Sequence, residues 1–249
     1  MTIEAPHSRD IPALRRLWKE AFGDDDLFLD GFFGTAFSPQ RCRCVFMGDR
    51  LAAALYWFDC SWEGKKIAYI YAVATDKAYR GRNLCRSLME KTHEELLGSG
   101  YAGAALVPGN AGLFELYGKL GYRPFCPLHN NEISAGKTAI AVKKLTPKEF
   151  SIRRRDLLPE GGIIQEGVTL TYLACFTEFY EADGCVMCLS CEDDTAYFQE
   201  FLGDPKKLPG ILAGLGVKKG AVHLPGGKDS AMYYSPKEEM PSYLGLSLG

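Results

Sequence analysis

The chain is short of several things, and each shortage excludes a class. No run of 18 or more apolar residues occurs along its 249 residues, so no helical membrane span is expected. Neither charge is in surplus: 29 Lys and Arg face 31 Asp and Glu, a net charge of −2, which lacks the basic excess of a nucleic-acid binder. Met1 to Asp10 is polar, so no secretory leader is expected. The nine Cys are scattered and odd in number rather than framed as a disulfide scaffold, and we expect reduced thiols in a cytoplasmic protein. Low-complexity segments are lacking. Gly226-Gly227-Lys228 lacks the spacing of a phosphate-binding P-loop.

What is present is enough apolar material, 47% of residues, to build a sizeable core. Asp10-Ile11-Pro12 opens a helix whose apolar face is Leu14, Leu17, Trp18, Ala21 and Phe22. The Asp24-Asp25-Asp26 run reads as the solvated start of a second helix over Leu27 to Phe33. Cys42–Met47, Leu51–Trp62 and Lys66–Thr75 read as an antiparallel meander punctuated by Gly48-Asp49 and Glu63-Gly64. A helix over Leu84 to Leu97, a strand over Tyr101 to Val107 and a short helix over Ala111 to Leu120 follow.

The junction after the third strand carries the chemistry. Arg80-Gly81-Arg82-Asn83-Leu84-Cys85-Arg86 is a basic, glycine-containing turn at the start of a helix. Main-chain N–H groups of such a turn converge next to the positive end of the helix dipole, which suits a pyrophosphate. Gly81 admits backbone conformations closed to other residues, and three arginines add charge. Just upstream, Val73, Ala74 and Thr75 end the strand. If that strand parts from its neighbour after Leu106, its free main-chain groups can pair with an extended amide ligand.

These two features, with Asn110-Ala111-Gly112-Leu113-Phe114-Glu115-Leu116-Tyr117-Gly118-Lys119-Leu120-Gly121-Tyr122, resemble the GNAT family of N-acetyltransferases. The family's first motif is Arg/Gln-x-x-Gly-x-Gly/Ala. Here Arg80 matches, while Asn83 and Cys85 stand at the two later small positions. Its second motif, Asn-x-x-x-x-x-(Phe/Leu)-Tyr-x-Lys-x-Gly-(Phe/Tyr), is matched closely. The resemblance implies a mixed, mostly antiparallel α/β sheet flanked by helices, with acetyl-CoA as co-substrate, an amine as acceptor and no metal. It implies that Val73, Ala74, Thr75 and Arg80, Gly81, Arg82, Asn83, Leu84, Cys85 and Arg86 hold the cofactor, by direct transfer within a ternary complex. It also implies that Tyr117 protonates the departing sulfur. Read from the residues alone, the lesser alternative for Tyr117 is a core tyrosine on a helix. Asn110 either bonds the pantetheine arm or caps its helix. No general base is evident, Glu178 and Glu200 being the carboxylates considered. The alternative is a non-catalytic acyl-CoA sensor.

The rest of the chain echoes the first part in layout. A domain of residues 1–135 is expected, followed by a smaller GNAT-like domain of 136–249. A strand over Lys137 to Leu145, a capping Thr146, a helical period from Val168 to Tyr180, strands over Cys185–Cys191 and Ala196–Leu202 and a helix over Leu208–Leu215 are predicted. Val222–Leu224, Ala231–Tyr234 and Tyr243–Leu248 are further strand candidates. Its corresponding turn, Gly203-Asp204-Pro205-Lys206-Lys207-Leu208-Pro209-Gly210, carries a repelling Asp204 and two prolines without N–H groups, so cofactor binding is expected to be lost there. Cys185, Cys188 and Cys191 have a ligand-like spacing, but strand alternation sends Cys188 to the opposite face, so a metal or redox centre there is the least favoured reading.

Overall fold

The computed structural model describes residues 1–248. It forms two compact units: Met1–Arg123 with Met232–Met240, and Pro124–Ala231 with the residues from Pro241 onward.

The first unit runs β1 (Thr2–Glu4), α1 (Ile11–Phe22), α2 (Asp26–Thr35), β2 (Cys42–Met47), β3 (Arg50–Trp62), β4 (Lys65–Thr75), α3 (Leu84–Gly98), β5 (Gly103–Leu106) and α4 (Ala111–Gly118). Its strands lie in the order β1-β2-β3-β4-β5. β1 to β4 pair antiparallel with one another in turn, β4 and β5 are parallel, and residues 232–234 pair antiparallel with β5. Asp25 caps α2 by accepting from the Phe28 N–H at 2.8 Å, and Asp26 pairs with Arg15 and Lys19, so the acidic run is a helix start.

β3 is buried at nearly every position because helices cover both its faces. Leu55 and Trp57 face one core with Leu84, Leu88 and Met89 of α3 and Tyr117 of α4. Tyr56 and Phe58 face an aromatic layer with Trp18 of α1, Phe32 of α2 and Tyr71 of β4. Strand alternation thus sorts one continuous hydrophobic run into two different cores.

The second unit contains β6 (Arg123–Ser134), β7 (Lys143–Leu145), α5 (Pro147–Leu157), α6 (Val168–Leu173), β8 (Glu178–Ala182), β9 (Cys185–Glu192), β10 (Thr195–Leu202), α7 (Leu208–Leu215), β11 (Lys219–Pro225) and the start of β12 (Lys228–Tyr234). The strand order β7-β8-β9-β10-β11-β6 repeats the plan of the first unit, direction for direction.

Three local expectations are corrected, and one strand carried no signal in the sequence. The polar stretch His129–Glu132 lies within β6, which pairs with β11 from Leu128 to Ser134; ladder hydrogen bonds, not an apolar face, hold it. The helical period over Val168–Tyr180 stops at Leu173, and Glu178–Ala182 becomes β8 because β9 offers it a partner. Only Lys143–Leu145 of the strand predicted over 137–145 forms. The preceding residues lie against α7, with Gly136 N–H donating to Pro209 O and Ile140 N–H to Gly210 O. Residues 243–248 form no strand beyond one bridge, Tyr243 to Gly162.

Gly103 sits where β5 is flanked on both sides. A Cβ there would lie 2.3 Å from Tyr234 O and 2.4 Å from Tyr233 Oη. Gly103→Ala is expected to destabilise the protein by roughly 2 kcal/mol or more through overpacking. Urea unfolding, with the slope unchanged and the midpoint lowered, checks this.

Candidate active site

The site grows from one irregular strand. β4 pairs with β5 only from Ile67–Gly103 to Tyr69–Ala105. Beyond Tyr69 it pairs with β3 alone, and its register slips between Tyr71 and Ala74, where Ala72 takes a positive φ of 49°. The bulge bends β4 away from β5. The main-chain edge of Val73, Ala74 and Thr75 therefore faces no strand on the β5 side. Their side chains are not the feature on offer: Val73 packs on the α3 core and Ala74 is buried.

After Thr75 the chain makes a short 3-10 turn, Lys77–Tyr79, capped by Asp76. It then passes through Arg80–Asn83 into α3. Gly81 has φ 75°, and Asn83 is left-handed at φ 58°, ψ 16°, a region asparagine tolerates better than most residues. The first helical bond is Ser87 N–H to Asn83 O at 3.0 Å. Among the described residues, the N–H groups of Gly81, Arg82, Asn83, Leu84, Cys85 and Arg86 have no acceptor, and the Asn83 side chain does not cap the helix. Unpaired amides at the positive end of a 15-residue helix form an anion-binding concavity.

The side chains divide their roles. Leu84 is buried in the core and contributes only its N–H. Arg80 folds back so that Nε donates to Thr75 O at 3.1 Å. Arg82 stacks on the Tyr79 ring, and Arg86 pairs with Glu90 one helical turn on. Cys85 is half-buried, and burial pushes its thiol pKa up.

α4 supplies the second part. Asn110 Oδ1 accepts from the Leu113 N–H at 3.1 Å, so of its two readings the capping one is seen. Tyr117 is 6% exposed, and its ring meets Tyr122 edge-on at 5.7 Å. Burial, then the nearby Cys85 thiol, raises its pKa above the ordinary phenol value. It is a neutral O–H throughout the physiological range.

Residues 2–125 match the family model of the acetyltransferase (GNAT) domain. Through this domain the chain belongs to the GNAT acetyltransferases. The fold likeness runs further than the family match. A GCN5-related N-acetyltransferase from Kribbella flavida superposes with a TM-score of 0.71 at 15% identity, over 93% of this chain and 70% of that one. One from Anabaena variabilis gives 0.71 at 14% identity, over 93% and 72%. A putative acetyltransferase from Pyrococcus horikoshii gives 0.65 at 14% identity, over 97% and 91%. No curated protein matches the chain significantly in sequence.

The second unit keeps the GNAT strand plan but not the turn. β10 parts from β11 after Tyr197–Ala221, just as β4 parts from β5. Asp204 then caps a 3-10 turn, Pro205–Lys207, as Asp76 does. But α7 starts at once at Leu208, so the four residues corresponding to Arg80–Asn83 are missing. Missing chain length removes the concavity, beyond the prolines and the acid seen in the sequence.

Two carboxylates considered as a base are engaged. Glu200 is held by Arg154, and Glu178 by Lys144 and Tyr180. The cysteine run lies on β9, with Cys185 in the α7 core and Cys188 on the other face against Thr177. Among the described residues no group of His, Cys, Asp and Glu is placed to hold a metal, and no helix is long and apolar enough to cross a membrane.

His93 carries no signal in the sequence beyond its place on α3. Its buried ring stacks on Tyr234 at 3.9 Å, and Nε2 lies 2.8 Å from Tyr122 Oη. It thereby fixes the ring on which Tyr117 rests. Burial lowers its pKa from 6.5 to about 4. Between those values an unfolded chain binds a proton that the folded one refuses, so stability falls as pH falls through that window. The loss is roughly 3 kcal/mol at full extent. His93→Phe is expected to remove this part of the acid dependence, seen as a flatter unfolding free energy between pH 6.5 and 4 than in the parent.

Proposed function

We propose that the first unit transfers an acetyl group from acetyl-CoA to an amine by direct attack in a ternary complex, in the cytoplasm, and that the second unit is a GNAT-like domain without cofactor binding. The observation that carries this reading is the set of unpaired amides from Gly81 to Arg86, set beside a strand edge with no partner. The amides suit the pyrophosphate, and the exposed Arg80 and Arg82 add positive charge. The edge at Val73–Thr75 suits the two amide groups of the pantetheine arm, as an added strand.

In the reaction a neutral amine attacks the thioester carbonyl. As the tetrahedral intermediate collapses, the C–S bond breaks and the sulfur takes the Tyr117 proton. The amine's surplus proton passes to solvent, and solvent returns one to the Tyr117 phenolate. A raised tyrosine pKa keeps the donor protonated at every working pH. General acid catalysis of this kind contributes about 10²–10⁴ in rate.

Titration calorimetry with acetyl-CoA tests the reading: one-site binding is expected, and no heat at millimolar ligand overturns it. Binding without turnover across a broad amine panel would instead establish the sensor. Tyr117→Phe is expected to lower kcat by about 10²-fold or more with acetyl-CoA affinity unchanged. Gly81→Val strains a residue at φ 75° whose Cβ would meet nothing within 4 Å. Its cost falls on the shape of the turn, and acetyl-CoA affinity is expected to drop about tenfold or more, for roughly 1–3 kcal/mol of local strain. Calorimetry and thermal unfolding separate the two effects.

A further inference from the structure

The second unit repeats the parting of two parallel strands seen in the first, and beside it the residues differ. Glu200 stands three residues beyond the last β10–β11 pair, at Tyr197, as Ala72 stands three beyond the last β4–β5 pair, at Tyr69. β10 slips register with β9 between Phe198 and Glu200, repeating the bulge of β4. Arg154 is the eighth residue of α5, as Trp18 is of α1. In the first unit Trp18 and Ala72 line one small gap. In the second, the equivalent pair is a buried ion pair.

That pair is fully furnished. Arg154 Nε and Nη2 meet Glu200 at 2.6 and 2.9 Å, Nη1 donates to Ile163 O at 3.2 Å, and Nη2 also reaches Gln165 Oε1 at 3.3 Å. Over it runs the segment 241–248. Gly245 lies directly on the pair: a Cβ there would be 2.1 Å from Glu200 Oε1 and 2.4 Å from Arg154 Nη2. Its φ of 78° likewise favours glycine.

The segment is gripped as a bound peptide is. Ser242 N–H donates to Gly161 O at 3.0 Å and Ile163 N–H to Tyr243 O at 2.8 Å, a short parallel pairing. Gln165 Nε2 donates to Leu246 O at 2.6 Å. Leu244, Leu246 and Leu248 are each buried, so alternate side chains enter the unit while the main chain supplies the bonds. Main-chain bonds around one bridge fix the segment, and alternate leucines fill the unit.

We propose that the second unit is a peptide-binding site built on a vestigial acyl-transfer cleft, and that its resident ligand is the chain's own segment 241–248. The ligand class is an apolar peptide with a left-handed glycine at its centre. The Arg154–Glu200 pair is held within the body of the unit by Ile163 O and Gln165 Oε1, and the segment takes the remaining Gln165 Nε2 donor.

The test uses the full chain with a protease recognition sequence inserted between the exposed Glu238 and Glu239. After cleavage the fragment is expected to co-elute with the body of the protein in gel filtration. A labelled synthetic peptide of residues 241–249 is expected to exchange into its place, and the same peptide carrying Gly245→Val to compete at least about tenfold less well, as overpacking predicts. Gly245→Val in the uncut chain is expected to expose the segment to proteolysis while the body stays folded. Immediate release of the fragment with no change in Tm overturns the proposal. So does unfolding of the body on cleavage, or a fragment that never exchanges, since either makes the segment part of the core rather than a ligand.

Discussion

The parting of β4 from β5 beyond Tyr69–Ala105 is the constraint around which the first unit is arranged. Parallel neighbours normally exhaust each other's hydrogen bonds along their length. Here the ladder stops after three residues and the bulge at Ala72 turns β4 aside, which leaves an edge of amides inside the fold instead of at its rim. No strand on the β5 side satisfies the main-chain groups of that edge. The turn from Arg80 to Asn83 adds a second set of unpaired amides at the end of the same strand. Leu84 and Leu88 anchor α3 in the core, and with it the direction in which those amides point.

The two units show how little chain separates a fold from its site. Both follow the same strand order, the same parting of two parallel strands and the same aspartate-capped 3-10 turn. They differ by the residues between that turn and the next helix. At the bulge, an aromatic ring over a small residue in one is an arginine bonded to a glutamate in the other. A buried ion pair of that kind is poor at stabilising a protein outright, yet removing either partner strands the other charge. Gly245 of the 241–248 segment crosses that pair.

Much of this was legible before any coordinates. The meander, the helix after the turn and the Tyr117 helix follow from periodicity, punctuation by glycine and the two motifs, because each is a local property of a few consecutive residues. β6 was missed because its polar residues carry no apolar period and its bonds come from β11, far away in sequence. β8 was misread because Phe176, Phe179 and Tyr180 satisfy a helical spacing as well as a strand one. His93 looked ordinary because neither of its aromatic neighbours, Tyr122 and Tyr234, is near it in the chain.

The sequence alone determined the kinds of elements in the first unit, the family they compose and the residues that meet at the turn, since turn geometry and helix capping depend on neighbours along the chain. Only the tertiary structure decided that β4 leaves β5 after three pairs, that residues 232–234 complete the first unit, and that Gly245 lies on the Arg154–Glu200 pair. Those outcomes depend on which distant strand or side chain satisfies a given hydrogen bond. Such a choice is made by competition among packed partners across the whole fold, and no local pattern records it.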